Sequence, residues 1–183
     1  MLVLSILAGL PLARLRAAFP DAGPMVRCMP NLPVRIGKGV SVLKPDESAS
    51  ADDLALVTGL CARLGLVEVL EDESLFDAAT ALAGCGPAFL YRFIDAMAQA
   101  GAQLGLDPAA AARMALMTVA GAAASAAASA QSPAQLADAV ASKGGMTREG
   151  LDVLDGADGL QPLLTQTLRA ARDRGAALAA LSN

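Results

Sequence analysis

The chain has 183 residues, 55% of them hydrophobic, a formal net charge of −4 and no histidine. That length can bury a core without disulfide or metal staples, while 14 scattered Lys and Arg residues form no basic stripe of the kind nucleic acid requires. Without histidine there is no Ser-His or Cys-His nucleophile pair and no imidazole ligand, and Cys28, Cys61 and Cys85 are too widely spaced for a zinc site or a disulfide framework. A reducing cytoplasm is the setting this implies.

Leu2 to Ala8 is an apolar run with the length of a buried strand. Its charges argue against a secretory leader, because no Lys or Arg precedes the run while Arg14 and Arg16 follow it. Leu10 to Phe19 has helical spacing, and Pro24 to Met29 reads as a second strand ended by Pro30, so the chain opens as strand, helix, strand. Val34 to Ile36 and Gly39 to Leu43 alternate around Gly37-Lys38-Gly39, predicting a hairpin or two short edge strands. The first 45 or so residues thus look like the end of an α/β domain.

From Ser50 onward the pattern is helical. Ser50 with Asp53, Ser74 with Asp77, and Ser132-Pro133 with Gln135 place a capping hydroxyl three residues before an acidic or amide side chain. Helices are predicted over residues 50–64, 75–104, 108–129 and 160–180, with a short strand at residues 67–70. Gly84-Cys85-Gly86-Pro87 should kink the second, since proline lacks the helical donor. The helix from Asp107-Pro108 is rich in alanine and polar on no face, so most of its circumference needs cover. Surrounding helices of a second copy would provide it in an interlocked homodimer, possible higher assembly being left open. A disordered reading of the tract is opposed by its helix propensity and its interspersed Met114, Leu116, Met117 and Val119. Ala, Gly and Ser dominate residues 114–130, which suits tight helix packing better than spanning lipid, so no membrane partner is expected.

Ser142-Lys143-Gly144-Gly145-Met146-Thr147 carries the chemistry. Two glycines free backbone N–H groups just before a helix, and Thr147 can cap that helix and present a hydroxyl, an arrangement that suits a small carboxylate. The alternative is an ordinary interhelical loop with a threonine cap. Lys143 is either a solvated side chain or a direct carboxylate partner, and Cys85 reads as a small packing residue.

Four segments in order, Val26-Arg27-Cys28-Met29-Pro30-Asn31-Leu32-Pro33, Ala83-Gly84-Cys85-Gly86-Pro87-Ala88-Phe89, Gly101 to Leu106, and Ser142 to Thr147 with Gly150-Leu151, resemble the pyrroline-5-carboxylate reductase family. The family's equivalents are an R-V-M-P-N-T-P turn, a G-S-G-P-A-Y helix break, a G-x-x-x-G-L helix end and an S-P-G-G-T-T loop.

This resemblance implies a mainly α chain, with the end portion of a Rossmann α/β domain at residues 1–72. A helical dimerisation and substrate-binding domain of the 6-phosphogluconate dehydrogenase C-terminal type would occupy residues 73–183. It implies reduction of 1-pyrroline-5-carboxylate to L-proline with NADPH or NADH. Ser142, Lys143, Gly144, Gly145, Met146 and Thr147 would bind the substrate carboxylate, with Thr147 catalytic toward the ring nitrogen. Met29, Pro30 and Asn31, together with Gly84, Cys85, Gly86 and Pro87, would lie near the nicotinamide.

The chain departs from the family in places. Lys143, Met146, Leu32, Ala83 and Cys85 replace the usual proline, two threonines and small hydroxyl residues, leaving another small carboxylate possible as substrate. A strand followed by G-x-G-x-x-G is missing: Gly37-Lys38-Gly39 and Gly84-Cys85-Gly86 lack the third glycine. The expected alternatives are a fragment of a complete reductase or a truncated relative, including a non-catalytic dimerisation module.

Overall fold

The structure is a computed structural model and describes residues 1–181. Four strands, β1 (Val3–Ser5), β2 (Met25–Pro30), β3 (Gly39–Pro45) and β4 (Gly65–Val69), form one sheet in the order β1-β2-β3-β4. Helices α1 (Leu12–Ala18) and α2 (Ala51–Ala62) connect its two parallel pairs, β1 with β2 and β3 with β4, while β2 and β3 run antiparallel. The expected strand, helix, strand opening is therefore present.

Alternation along β2 organises this region, because successive side chains leave a strand on opposite faces. Val26 and Cys28 join Leu43 of β3 and Val57 and Cys61 of α2 in one buried cluster; Met25 packs with Leu12 and Leu15 of α1 in another. The sulfurs of Cys28 and Cys61 lie 4.0 Å apart, and burial, reinforced by Cys61, pushes the Cys28 thiol up to about 12. All three cysteines are free.

Three local expectations need correction. Leu2 to Ala8 is not a buried strand: only Val3–Ser5 pairs, with Val3 opposite Met25, and Leu4, Ile6 and Leu7 are exposed. Gly9 at φ +69 then turns the chain toward α1. Val34 to Ile36 is not a strand either. Residues Leu32–Ile36 form a short 3₁₀ helix with Pro33 in its first turn and left-handed Gly37 at its end, so β3 finds its antiparallel partner in β2 and is an internal strand. Finally, Asp72 replaces Ser74 as a cap. The helical path begins one turn early, at Glu73, and the Asp72 carboxylate accepts from the Ser74 N–H at 2.8 Å and from the Ser74 hydroxyl at 2.6 Å. The capping boxes at Ser50 with Asp53 and at Ser132 with Gln135 form as the sequence predicts.

The long helix expected over residues 75–104 is interrupted at the predicted place. Helix α3 (Phe76–Ala79) swells into a π-turn over Thr80–Gly84, and α4 resumes at Gly86–Gln103. Helices α5 (Pro108–Ala128), α6 (Pro133–Val140), α7 (Met146–Leu154) and α8 (Leu160–Leu181) complete the chain. Two compact units result, Met1–Pro87 with the chain from Gln166 onward, and Ala88–Thr165. Within the first, α8 runs against α3 so closely that a Cβ on Gly175 would lie 3.1 Å from Asp77 Oδ1.

Within the second unit, α4 ends in a Schellman turn. Leu106 N–H bonds the Gly101 carbonyl at 3.2 Å, Gly105 N–H bonds that of Ala102 at 3.0 Å, and Gly105 takes φ +100. Gly101 lets Leu106 and Ala111 close over it, which explains the G-x-x-x-G-L spacing. Asp107 caps α5 by accepting from Ala110 N–H at 2.8 Å. Of the whole helix only Ala111 and Ala115 are buried, and it is the one described helix long and apolar enough to cross a membrane.

Candidate functional site

Residues 142–147 fold as a turn that opens directly into α7. Gly145 N–H donates to the Ser142 carbonyl at 2.9 Å, and Gly144 takes φ +68, a region that favours glycine. Gly145 is needed for a different reason: its own φ is ordinary, but a Cβ there would lie 2.4 Å from Ser142 Oγ and 3.1 Å from Ser142 O. The missing side chain leaves room for the Ser142 hydroxyl against the turn.

Gly145, extended at φ −86 and ψ 162, occupies the N-cap of α7, so Thr147 is not the capping residue expected from sequence. It stands at the second helical position, exposed, with its hydroxyl in no capping bond. Ser142, Lys143, Gly144 and Met146 are exposed as well, Met146 at 94%. Arg148 and Glu149 N–H both turn back onto the Gly145 carbonyl, at 3.0 and 3.3 Å. The N–H groups of Met146 and Thr147 stand ahead of these bonds at the positive end of the helix, a geometry that attracts a carboxylate. Arg148 Nη2 pairs with Asp138 Oδ1 at 2.8 Å and so fastens the start of α7 to α6. That hydrogen bond, together with the neighbouring carboxylates of Asp138, Asp152 and Asp155, raises the Arg148 pKa above its usual value.

The second group of expected residues converges in the other unit. Met29, Pro30 and Asn31 form the end of β2, and Gly84 of the π-turn comes up against them: a Cβ on Gly84 would lie 3.7 Å from Met29 Cγ and 3.3 Å from Thr80 Cγ2. Asn31 Nδ2 donates to the Ala83 carbonyl at 2.9 Å, and its Oδ1 accepts from Val40 N–H at 2.9 Å. Cys85 N–H reaches back five residues to the Thr80 carbonyl at 2.9 Å, and no atom lies within 4 Å of where a Gly86 side chain would begin. Met29, Asn31, Gly84, Cys85, Gly86 and Pro87 are all half-buried. Thus Met29 to Asn31 and Gly84 to Pro87 are neighbours in one unit, and residues 142–147 belong to the other.

Two charged clusters escaped the sequence reading. Arg27, on the face of β2 that also carries Met25 and Met29, is buried; its Nη1 pairs with Glu73 Oε1 at 2.7 Å and its guanidinium lies 3.8 Å over the Phe76 ring. Arg27 Nε is a buried side-chain nitrogen with no hydrogen-bond partner among the described residues. The available signal was a single charge inside an otherwise apolar strand, which demands a buried partner. Arg16 grips the Ala22 and Gly23 carbonyls, at 2.6 and 3.1 Å, and also pairs with Asp46. A cleft of about 720 Å³ opens beside this second cluster, lined by Arg16, Lys44, Asp46 and Glu73 and by none of the expected site residues.

Neither glycine pair forms a phosphate loop. Gly37 and Gly39 lead from the 3₁₀ helix into β3, and Gly84 and Gly86 join a π-turn to a helix, whereas a dinucleotide phosphate loop joins a strand to a helix start. Among the described residues neither pair therefore supplies a strand-to-helix cradle for a diphosphate.

Comparison with known proteins agrees with the four sequence segments. Residues 73–178, more than half of the chain, match the family described as pyrroline-5-carboxylate reductase dimerisation. A Pseudomonas aeruginosa protein named pyrroline-5-carboxylate reductase is 39% identical over 178 residues, covering 97% of this chain and 65% of that protein. Among solved structures, a pyrroline-5-carboxylate reductase from Coxiella burnetii superimposes with a TM-score of 0.91 at 32% identity, over 97% of this chain and 65% of that one. The Plasmodium falciparum pyrroline carboxylate reductase, solved with NADP bound, gives 0.87 at 29% identity, over 97% and 67%. The chain thus spans between 53% and 65% of the length of the curated relatives it matches. A Rossmann remnant carried by four strands and followed by a helical dimerisation domain places the chain in the pyrroline-5-carboxylate reductase family.

Proposed function

We propose that this chain contributes the substrate-binding and dimerising part of an NAD(P)H-dependent reductase converting 1-pyrroline-5-carboxylate to L-proline in the cytoplasm. Residues 1–72, together with Gly84 to Pro87, would carry the nicotinamide side, and the rest of residues 73–183 the substrate and the dimer. The observation that carries this reading is the turn at residues 142–147, whose N–H groups at Met146 and Thr147 and positive φ at Gly144 suit a small carboxylate, in a chain whose relatives are named for one. The carboxylate would rest against the amides of Met146 and Thr147, with Lys143 adding charge at the rim. The exposed Thr147 hydroxyl would hydrogen-bond the ring nitrogen, hold the imine in one orientation and relay to that nitrogen a proton taken up from solvent water. Bound NADPH or NADH would supply the hydride. Hydride transfer to an imine carbon depends mainly on two planar rings being held face to face, which proximity and orientation accomplish without histidine.

The exposed apolar residues of α4 and α5, including Tyr91, Phe93, Met97, Met114, Leu116 and Met117, support a homodimer with helices of one copy against those of the other. A groove of about 320 Å³ lined by Tyr91, Ile94, Asp95, Ala98, Ala112 and Leu116 offers a seat for a partner helix.

The test is imine-dependent NADPH oxidation with proline as product, assayed with the chain alone and with the chain co-expressed with the dinucleotide-binding segment of the Pseudomonas relative. Activity in either form supports the reading, and its absence from both, in a folded dimer, contradicts it. Because no strand followed by G-x-G-x-x-G occurs in the 183 residues, a second reading stands beside it: a dimerisation module that holds the acid but reduces nothing. Turnover of another small acid, such as a hydroxy acid, with none of the pyrroline would instead indicate a related dehydrogenase.

A further inference from the structure

We propose that Asn31 and Pro87 form a single device. The Asn31 side-chain amide replaces the helical N–H that Pro87 lacks, and thereby sets the backbone of residues 83–86 for the ligand that docks there; Asn31 is a positioning residue. This rests on the reductase reading given above.

In a continuous α-helix the Ala83 carbonyl would accept from the N–H of residue 87. That residue is proline, which has no N–H and whose ring collides with the carbonyl four residues back. The helix escapes the collision by widening: Thr80–Gly84 forms a π-turn, and the Cys85 N–H bonds Thr80 five residues earlier, at 2.9 Å. An Ala83 oxygen left in this way costs stability unless another donor reaches it. The donor comes from 52 residues away, as Asn31 Nδ2 at 2.9 Å.

The amide cannot be turned around. Its Oδ1 accepts from Val40 N–H at 2.9 Å, so a flip would set donor against donor and acceptor against acceptor. The backbone of Asn31 is held too, its N–H donating to the Val40 carbonyl at 3.1 Å and its carbonyl accepting from Val34 N–H at 3.2 Å. A residue tied at four points transmits the position of the sheet to the break. What the break presents is bare backbone, since Gly84 packs under Met29 and the space beyond Gly86 is open. Helix interruptions of this kind recur at functional sites because they bring main-chain groups to a ligand.

Four proteins test the device: Asn31→Asp, Pro87→Ala, the double variant and the parent. The aspartate can still accept from Val40 but cannot donate to Ala83, so Asn31→Asp should lower the melting temperature by about 3–6 °C. In the Pro87→Ala background, where the helix supplies its own donor, the same change should cost less than half as much. Equal losses in both backgrounds would overturn the clamp. The decisive variant for positioning is Pro87→Ala alone, which should melt no lower than the parent yet raise the KM for NADPH about fivefold in whichever form of the protein reduces the imine. An unchanged KM and kcat in that variant would reduce Asn31 to a stabilising contact and refute the proposal. If the parent reduces nothing, the reductase reading fails by itself while the stability cycle still decides the clamp.

Discussion

Arg27 and Glu73, 46 residues apart, meet at 2.7 Å between β2 and the helical path that follows β4. Glu73 Oε1 also accepts from the Leu12 N–H at 2.8 Å, where α1 starts, and the Phe76 ring covers the guanidinium. One carboxylate therefore ties β2, α1 and α3 together. Removing it would strand a buried positive charge that already has one nitrogen unpartnered among the described residues. Glu73→Ala should cost about 3 kcal/mol, read as a drop in denaturation midpoint, and Glu73→Gln, which keeps an acceptor for Leu12, should cost less. Equal stability of Glu73→Ala and the parent would show the pair to be incidental.

Asp46 makes stability depend on acidity. Burial opposes its ionisation, but the Arg16 guanidinium, the Ser48 hydroxyl and the Met25 N–H outweigh that and hold its pKa below 3.8. A depressed carboxylate pKa stabilises the fold above the unfolded value, about 3.9, and that contribution disappears as pH falls through the lower folded value. The parent should therefore lose stability below about pH 4 more steeply than Asp46→Asn, measured as melting temperature against pH. Parallel profiles for the two proteins would remove Asp46 from the account.

The turn at residues 142–147 predicts different outcomes for its two glycines. Gly144→Ala forces an alanine into φ +68 and should destabilise by about 1 kcal/mol, measured by urea unfolding. Gly145→Ala meets Ser142 Oγ at 2.4 Å, a side chain able to rotate away, so the fold should tolerate it. Its effect should appear instead in carboxylate affinity, about fivefold weaker by calorimetry, because the displaced hydroxyl and the shifted Ser142 carbonyl reshape the turn. Wild-type affinity in Gly145→Ala would place the carboxylate elsewhere.

Helix α5 should be closed off by a second copy. Leu116 is exposed in the single chain and lines the apolar groove, so Leu116→Glu would bury a carboxylate in the proposed interface. It should convert a dimer to a monomer in light scattering at micromolar concentration. A parent protein that is already monomeric there would contradict the dimer directly.

Much of this was legible in the residues and some was not. The capping boxes at Ser50 and Ser132, the break at Gly84 to Pro87 and the Gly101 to Leu106 helix end are local signals with local causes, and each appears where the sequence puts it. What failed was non-local or rested on competition between neighbours. Val34 to Ile36 alternates like a strand, but Pro33 and Gly37 favour a tight helical turn and β2 takes the pairing. Thr147 lost the N-cap to Gly145 because helix α7 begins two residues earlier than its hydroxyl suggests. The partnerships of Arg27 with Glu73 and Asn31 with Ala83 span 46 and 52 residues, and no periodicity reports such distances.

The central claim, a carboxylate held at the start of α7, is tested most directly by titrating the isotopically labelled chain with L-proline and following its backbone amides by NMR. The account predicts saturable shifts confined to residues 142–148 and reduced in Gly145→Ala, with acetate producing weaker changes at the same amides. Shifts elsewhere with these amides still, or no response at tens of millimolar proline, would contradict it.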